Sequence, residues 1–149
     1  MKLSTRARYA LRMMVEIAKK TNGGEKVSLS QVAKSSDLPR RYLEQLAIDL
    51  KKASLITGIS GKGGGYILTK SPEKIRIGQI VEATIGPVNI VDCVLVPETC
   101  IKVDYCDCRL IYKRINERIT EVLNDFSLAD LAAGNVPNEE LSPVTQGSG

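Results

Sequence analysis

Apolar residues at helical spacing mark three helices in the first third of the chain. The first predicted helix ends near Asn22, where two glycines follow. Its apolar face, with spacings of three and four, consists of Leu3, Ala7, Ala10, Leu11, Met14, Val15 and Ala18. Ser28 suits the N-cap of a short second helix, and Pro39 suits the first turn of a third helix that runs to about Lys52. Two helices joined by a short turn in this way predict a helix-turn-helix.

The pattern then changes from helical to extended. Two short strands are predicted over residues 55–60 and 66–69, and the glycine-rich residues 61–65 join them as a hairpin. A helix-turn-helix followed by such a hairpin is typical of a winged helix. The predicted fold class is therefore mainly α with a small β wing, and residues 1–86 are predicted to form a winged helix-turn-helix domain.

Ser71 and Pro72 are expected to cap a further helix that closes at Gly86. Ile77, Ile80 and Val81 mark its apolar face. Residues 87–108 show little periodicity and are predicted to be a loop that carries all four cysteines of the chain.

A long helix is predicted from about Arg109, and a short one from Ser127 to Ala133, within a segment covering residues 109–134. The apolar stripe of the long helix consists of Ile111, Ile115, Ile119, Val122 and Phe126, widened by Leu123. Residues 135–149 contain proline, glycine and serine and are predicted to be a disordered tail.

Charge divides the chain into unlike halves. Residues 1–74 hold 15 basic and 6 acidic residues, whereas residues 75–149 hold 6 basic and 11 acidic ones. A segment as basic as the first half is typical of proteins that bind a polyanion. No apolar run approaches the roughly 18 residues of a membrane span, so no membrane partner is predicted and a cytoplasmic location is expected.

The third predicted helix has a polar face that suits the major groove of double-stranded DNA. Opposite an apolar side, this face presents Arg41, Glu44, Gln45, Ile48 and Lys52, with Arg40 near phosphates at the helix start. Arginine pairs with guanine, glutamine with adenine and glutamate with cytosine, and an exposed isoleucine can touch a thymine methyl group.

The glycine-rich tip adds a second DNA contact. Gly63 and Gly64 allow the backbone to approach a duplex, and Lys62 supplies charge for a phosphate. A solvated helix face and a flexible hairpin would account for each feature alone. Their ordered combination in a basic segment predicts DNA binding.

The four cysteines lie together in a chain that has no histidine. Cys93, Cys100, Cys106 and Cys108 lack the paired C-x-x-C spacing of a zinc ribbon, and their irregular loop is closer to that of an iron–sulfur site. A neighbouring aspartate could complete a shell of three thiolates. A thiol–disulfide switch that uses Cys106 and Cys108 is the alternative. Without histidine there is no imidazole-based triad, which makes an enzymatic function less expected. Neither catalysis nor a small-molecule substrate is predicted.

Several blocks of the sequence resemble the IscR-like iron–sulfur assembly regulators of the Rrf-two superfamily. These blocks are residues 1–4, 8–11, 42–46 and 61–66, the three-cysteine loop with the long helix, and residues 127–131. The resemblance implies a bacterial homodimeric repressor or activator whose long C-terminal helix forms the dimer contact. It also implies an iron–sulfur cluster, expected to be [2Fe-2S], that tunes binding to palindromic operators of cluster-assembly genes.

By position, the resemblance assigns Cys93, Cys100 and Cys106 to the cluster. It assigns Arg41, Glu44 and the glycine wing to DNA. Assembly regulators place a histidine ligand three residues after the last of these cysteines, where this chain has Arg109. Cys108 is therefore the first choice for the fourth ligand, and Asp107 is the second.

Other branches of the superfamily fit less well. A nitric-oxide-sensing branch draws a ligand from its first helix, where Arg8 and Arg12 cannot serve. A cluster-free branch that senses cysteine metabolism usually lacks the three-cysteine loop. A thiol-redox or nitric-oxide-responsive regulator of the same fold remains the alternative, and a small iron–sulfur electron carrier is the alternative from a different class.

Overall fold

The computed structural model describes residues 2–21, 24–99 and 106–137. Three helices come first: α1 (Thr5–Lys20), α2 (Leu29–Ser36) and α3 (Arg40–Lys52). A hairpin of β1 (Ile56–Ile59) and β2 (Gly65–Leu68) follows. The remaining helices are α4 (Ile77–Ile85), α5 (Asp92–Leu95), α6 (Asp107–Asp125) and α7 (Leu128–Ala133), with 3-10 turns at Pro72–Lys74 and Pro97–Thr99. This architecture confirms the predicted fold class of a mainly α protein with a small β wing.

Local hydrogen bonds explain where the helix-turn-helix begins and turns. Ser28 and Gln31 form a reciprocal capping box at the start of α2, with 2.8 Å from the Ser28 nitrogen to Gln31 Oε1. Asp37 ends α2 in the left-handed conformation at φ 56°. Pro39 is the N-cap residue of α3, one position before the helical turn in which the sequence places it. Its extended backbone directs the chain from the turn into α3.

Helix α1 lies at the centre of the hydrophobic core. Met13, Met14 and Ile17 are fully buried in one cluster that also includes Leu43 of α3 and Ile80 of α4. The sequence pattern omits Met13 and Ile17 from this face. Leu3, which the pattern includes, is 41% exposed. Compared with the predicted face, the core-facing side of α1 is therefore rotated around the helix axis towards Met13 and Ile17.

The wing is held against the start of α2. Strands β1 and β2 are antiparallel, with Ile56 opposite Leu68 and Ile59 opposite Gly65. Val27 adds an isolated bridge to Tyr66, whose N–H donates to the Val27 carbonyl at 2.7 Å. A Cβ atom at Gly65 would lie 2.5 Å from that carbonyl oxygen. Glycine at this position therefore allows the wing to approach the helix-turn-helix closely.

The segment before α4 differs from its prediction. Ser71 precedes a 3-10 turn rather than capping the helix, and the chain is extended again at Ile75 before α4 begins at Ile77. The reason is long-range pairing: the Ile77 N–H donates to the Phe126 carbonyl at 3.1 Å, and the Leu128 N–H donates to the Ile75 carbonyl at 2.8 Å. These bonds join the end of α6 to the winged-helix core.

Helix α6 begins two residues before the predicted start, at Asp107. Cys106 is its N-cap residue, so Asp107 and Cys108 belong to its first turn rather than to the preceding loop. Within α6, which is described along its whole length, Asn116 is the residue that is buried. The division of the chain into residues 1–86, 87–108, 109–134 and 135–149 remains a prediction, and residues 138–149 of the predicted tail lie outside the described ranges.

Candidate DNA interface and cysteine segment

The outward face of α3 carries the predicted DNA-reading residues. Leu43, Leu46, Ala47 and Leu50 are buried. On the opposite side the exposed residues are Arg40, Arg41, Glu44, Gln45, Ile48 and Lys52. Ile48, an apolar side chain at the middle of this row, is 54% exposed. The helical-wheel prediction is thus confirmed for exposure, and DNA contact by these residues stays a prediction.

A groove of about 520 Å³ separates α3 from the wing. Arg40, Glu44 and Lys51 line its helix side, and Ser60 and Gly64 line its wing side. Sequence reasoning missed Lys51. The signal was available, because Lys51 follows Glu44 by seven residues and therefore lies on the same side of the helix.

Two glycines at the wing tip adopt conformations that side chains disfavour. Gly61 and Gly63 have φ of 108° and 71°. Gly64 has an internal reason for being glycine, because a Cβ there would lie 2.9 Å from the Ile59 carbonyl oxygen. Lys62 is exposed at the tip between the two positive-φ glycines. The tip thus offers one cation and a bare backbone to a partner.

Side-chain contacts from α1 fix the position of α3 and of the turn between α2 and α3. Arg6 forms an ion pair with Asp49 on α3. The Tyr9 and Tyr42 rings meet edge to face with centroids 5.4 Å apart. Further along α1, Arg12 lies over the Tyr9 ring and donates a hydrogen bond to the carbonyl at the end of α2. Sequence reasoning missed the contacts of α1 with α2 and α3 because they join residues 24 to 43 positions apart in the chain.

We call residues 87–106 the cysteine segment. In its described part, α5 lies beside the start of α6. Cys93 on α5 and Cys106 before α6 are half-buried, and Cys108 in the first turn is exposed. Arg109 Nε donates to the Cys93 carbonyl oxygen at 3.0 Å, which brings α5 to the end of the helix that carries the other two thiols. Cys100 lies outside the described residues. In the described part of the chain, no three cysteine, aspartate or glutamate side chains converge as a ready metal site.

Helix α6 presents two different faces. One face contacts the cysteine segment, where Asn116 donates to the Val88 carbonyl at 2.7 Å and accepts from the Ile90 N–H at 3.0 Å. The other face is an apolar stripe that covers an arc of about 80° around the helix axis. This stripe consists of Ile111 and Val122, which are 59% and 56% exposed, and the half-buried Ile115 and Ile119.

Comparison with known proteins identifies the family. The family model for Rrf2, an iron-dependent transcriptional regulator, matches residues 3–134. The chain belongs to the Rrf2 family. The resemblance to the Rrf-two superfamily noted in the sequence is thereby confirmed.

Two branches of the Rrf2 family appear among the relatives. The HTH-type transcriptional regulator CymR of Bacillus subtilis is 39% identical over 133 residues, which cover 89% of this chain and 91% of CymR. The structure of CymR, the global cysteine regulator of B. subtilis, superposes with a TM-score of 0.73 at 36% identity and covers 90% of this chain and 98% of that one.

The regulator IscR of Sodalis glossinidius is 32% identical over 144 residues, covering 97% of this chain and 84% of IscR. The T. potens IscR structure gives a TM-score of 0.73 at 29% identity, with 91% and 89% covered.

Membership of the Rrf2 family makes the protein a DNA-binding transcription regulator with a winged helix. The matched relatives are regulators and not enzymes, which confirms the prediction and disfavours the electron carrier. Within the described ranges, no helix combines the length and apolar character needed to cross a membrane.

Proposed function

We propose that the protein is a homodimeric transcription regulator that reads a palindromic operator. The observation that carries this proposal is the single surface on which the exposed row of α3 adjoins the glycine wing. In the dimer, two α3 helices enter successive major grooves, and the wings reach the adjacent minor grooves. Arg41, Gln45, Glu44 and Ile48 contact base edges, while Arg40, Lys52 and Lys62 contact phosphates beside Gly63 and Gly64.

The apolar stripe on α6 supports the dimer. Ile111 and Val122 lie on the same side of the helix three turns apart, and both are more than half exposed. Asn116, which holds the cysteine segment, faces away from this side. A continuous apolar stripe on an exposed helix is typical of a helix–helix interface. A second copy of α6 is the occupant that the family resemblance implies.

The cysteine segment is the sensing element in this proposal. Thiolates are the ligands that iron–sulfur clusters take in proteins, and Cys93 lies on α5, which the Arg109 bond joins to the helix end at Cys106 and Cys108, so the residue types fit such a cluster. Cys93, Cys100 and Cys106 would hold it, with Cys108 as the fourth ligand and Asp107 as the alternative. A bound [2Fe-2S] cluster would supply a redox-sensitive group, and its presence would change the conformation of the cysteine segment. Operators of cluster-assembly genes are the proposed targets, and the cytoplasm is the proposed location.

A second candidate is a regulator that responds to thiol oxidation without a cluster. The similarity to the cysteine regulator CymR favours it, together with an exposed Cys108 only two residues from Cys106. In that case reversible oxidation of the thiols changes DNA binding directly. The two candidates share the DNA interface and differ in their requirement for iron.

Anaerobic purification with iron and sulfide analysis, followed by operator selection from random DNA, tests the proposal. We expect visible charge-transfer absorption that Cys93→Ala, Cys100→Ala or Cys106→Ala abolishes, and operators enriched differently with and without iron. Cys108→Ala and Asp107→Ala then identify the fourth ligand. A colourless, iron-free protein with oxidant-dependent operator binding would favour the thiol candidate. A dimer that enriches no sequence would contradict both candidates.

A further inference from the structure

The cysteine segment is attached to α6 at two points on one side of the helix. Asn116 bonds both Val88 and Ile90, and Arg109 bonds the Cys93 carbonyl. Arg109 and Asn116 are seven residues apart, so the two attachments lie about 10 Å from each other along the axis. Residues 88–93 therefore run alongside two turns of α6, and Arg109 holds the end that carries the cysteine.

The Arg109 bond matters because α5 is short and its side chains are at most half-buried. This helix has four residues, none of which is buried. A helix of one turn is not stable by itself, since its position depends on tertiary contacts. A hydrogen bond from a charged guanidinium to a half-buried backbone carbonyl is stronger than one between neutral groups.

We propose that Arg109 is a positioning residue that fastens Cys93 to the start of α6 whatever the state of the thiols. An arginine side chain has no lone pair to offer a metal, so this position acts through the backbone and not as a ligand. The attachment holds the Cys93 backbone at the helix end where Cys106 and Cys108 lie, in the metal-free protein. We call the bond between Arg109 and the Cys93 carbonyl the latch.

The latch also connects the cysteines to the DNA-binding unit. The far end of α6 is joined to the winged-helix core through Phe126 and Leu128. With the latch closed, a displacement at Cys93 is passed directly to the start of α6. Without it, a displacement at Cys93 reaches α6 only through the Asn116 contacts and through the chain at Cys106, so the coupling is weaker. This part of the inference rests on the proposed function, because it requires that cysteine chemistry alter operator binding.

Hydrogen exchange of the full-length, metal-free, reduced protein tests the latch itself. In Arg109→Ala, the Val94 and Val96 amides, which close the turns of α5, should exchange about tenfold faster, the equivalent of one charge-assisted hydrogen bond. Arg109→Lys should restore part of this protection. Arg114→Ala is the matched control, because Arg114 is an exposed arginine about 140° around the same helix.

Unchanged exchange at Val94 and Val96 in Arg109→Ala would overturn the latch. Amides of Leu46 and Leu50 in α3 serve as the reference for global folding. If Arg109→Ala does not fold, Arg109→Met, which keeps the apolar stem but has no donor, is compared with wild type. Faster exchange confined to residues 90–96 supports the latch, and wild-type exchange overturns it.

Operator binding before and after anaerobic loading with ferrous iron and sulfide tests the coupling. We expect loading to change the wild-type Kd by about tenfold and the Arg109→Ala Kd by less than about twofold, at equal iron content. Equal changes in both proteins would overturn the coupling role. If the wild-type Kd does not respond to loading, the cluster-sensing part of the proposed function fails, while the exchange experiment still decides whether the latch exists.

Discussion

Arg40 and Glu44 form an ion pair on the outward face of α3, with 3.5 Å between Arg40 Nε and Glu44 Oε1. Both side chains are more than half exposed, so the pair contributes little to folding stability. The ion pair matters for the proposed DNA binding, because both of its members are predicted to contact DNA. In the proposed complex with DNA, a phosphate that binds Arg40 would leave the Glu44 carboxylate free to accept a hydrogen bond from a base, which would link backbone contact and base reading on one helical turn.

Removing the carboxylate should weaken discrimination between sites more than binding itself. In Glu44→Ala, Arg40 no longer has to leave an ion pair to bind phosphate, so affinity for non-operator DNA should rise, while the salt dependence should change little because Arg40 makes the same phosphate contact in both proteins. Discrimination at the base facing Glu44 should fall by about 1–3 kcal/mol. Fluorescence anisotropy over a salt series measures both effects. Glu73→Ala, an exposed acid outside α3, should change neither quantity.

Two basic residues should affect DNA binding in different ways. Arg41→Ala should relax sequence preference at one base position at a cost of about 1–3 kcal/mol, because a bidentate contact is lost. Lys62→Ala should weaken all sequences equally and reduce the salt slope by about one unit. Binding to an operator library at several salt concentrations separates the two outcomes. Identical profiles for the two variants would contradict the assigned contacts.

A charge on the apolar stripe of α6 should separate the dimer. Ile111→Glu and Val122→Glu place a carboxylate in the proposed helix–helix interface, and each should shift the protein to monomer at micromolar concentration. Sedimentation velocity measures the change. Leu110→Glu is the matched control, since Leu110 is 62% exposed but lies about 90° or more from Ile111 and Val122. Dimers in both stripe variants would place the interface elsewhere.

Two glycine-to-alanine substitutions should differ sharply in their effect on stability. In Gly65→Ala, the new Cβ meets the Val27 backbone, which cannot move without breaking the bridge to Tyr66, and we expect a loss of about 2 kcal/mol or more. In Gly78→Ala, the new Cβ meets the tip of the exposed Asn124 side chain, which can rotate away. The gain in helix propensity of up to about 1 kcal/mol should offset that contact. Urea denaturation compares the two variants.

Acidification should remove a stabilising contribution at the start of α7. The Ser127 N–H donates to Asp130 Oδ2 at 2.9 Å. This bond, the Ser127 hydroxyl and Arg76 hold the pKa of Asp130 below its usual value. Because the folded pKa lies below the unfolded one, ionised Asp130 stabilises the fold above the unfolded pKa, and this effect is lost as pH falls through the folded pKa.

Asp130→Asn should therefore be less stable than wild type near about pH 7, and the difference should shrink towards about pH 3. Thermal unfolding followed by circular dichroism across this range measures it. A difference that is the same at both ends of the range would contradict the role of the charge.

The helix-turn-helix could be predicted because its signals are local. The buried and exposed sides of α3 follow from the spacing of Leu43, Leu46 and Leu50, and the Ser28 cap is encoded by Gln31 three residues later. The stripe of α6 was predicted only in part. Leu123 and Phe126 continue its spacing, but they pack against the core of their own chain because the helix end returns to Ile75 and Ile77.

The attachment of the cysteine segment could not be predicted. Asn116 interrupts an apolar pattern and has the appearance of a solvated residue in the sequence, yet it is buried against residues 26 and 28 positions away. The Arg109 bond to Cys93 likewise spans 16 positions. Such contacts depend on which elements the fold brings together, so they cannot be predicted from the spacing of residues along the chain.

Because α6 is long, a small rotation at one of its ends moves the other end by a large distance. Its 19 residues span about 28 Å, with the Phe126 end held by the domain and the Cys106 end next to the thiols. A tilt of about 5° at the held end carries the other end by about 2.5 Å. In the opposite direction, a displacement of that size at the thiols rotates the winged domain by a few degrees. In the proposed dimer, an angle of this order in each half would change the spacing of the two recognition helices relative to the helical repeat of DNA.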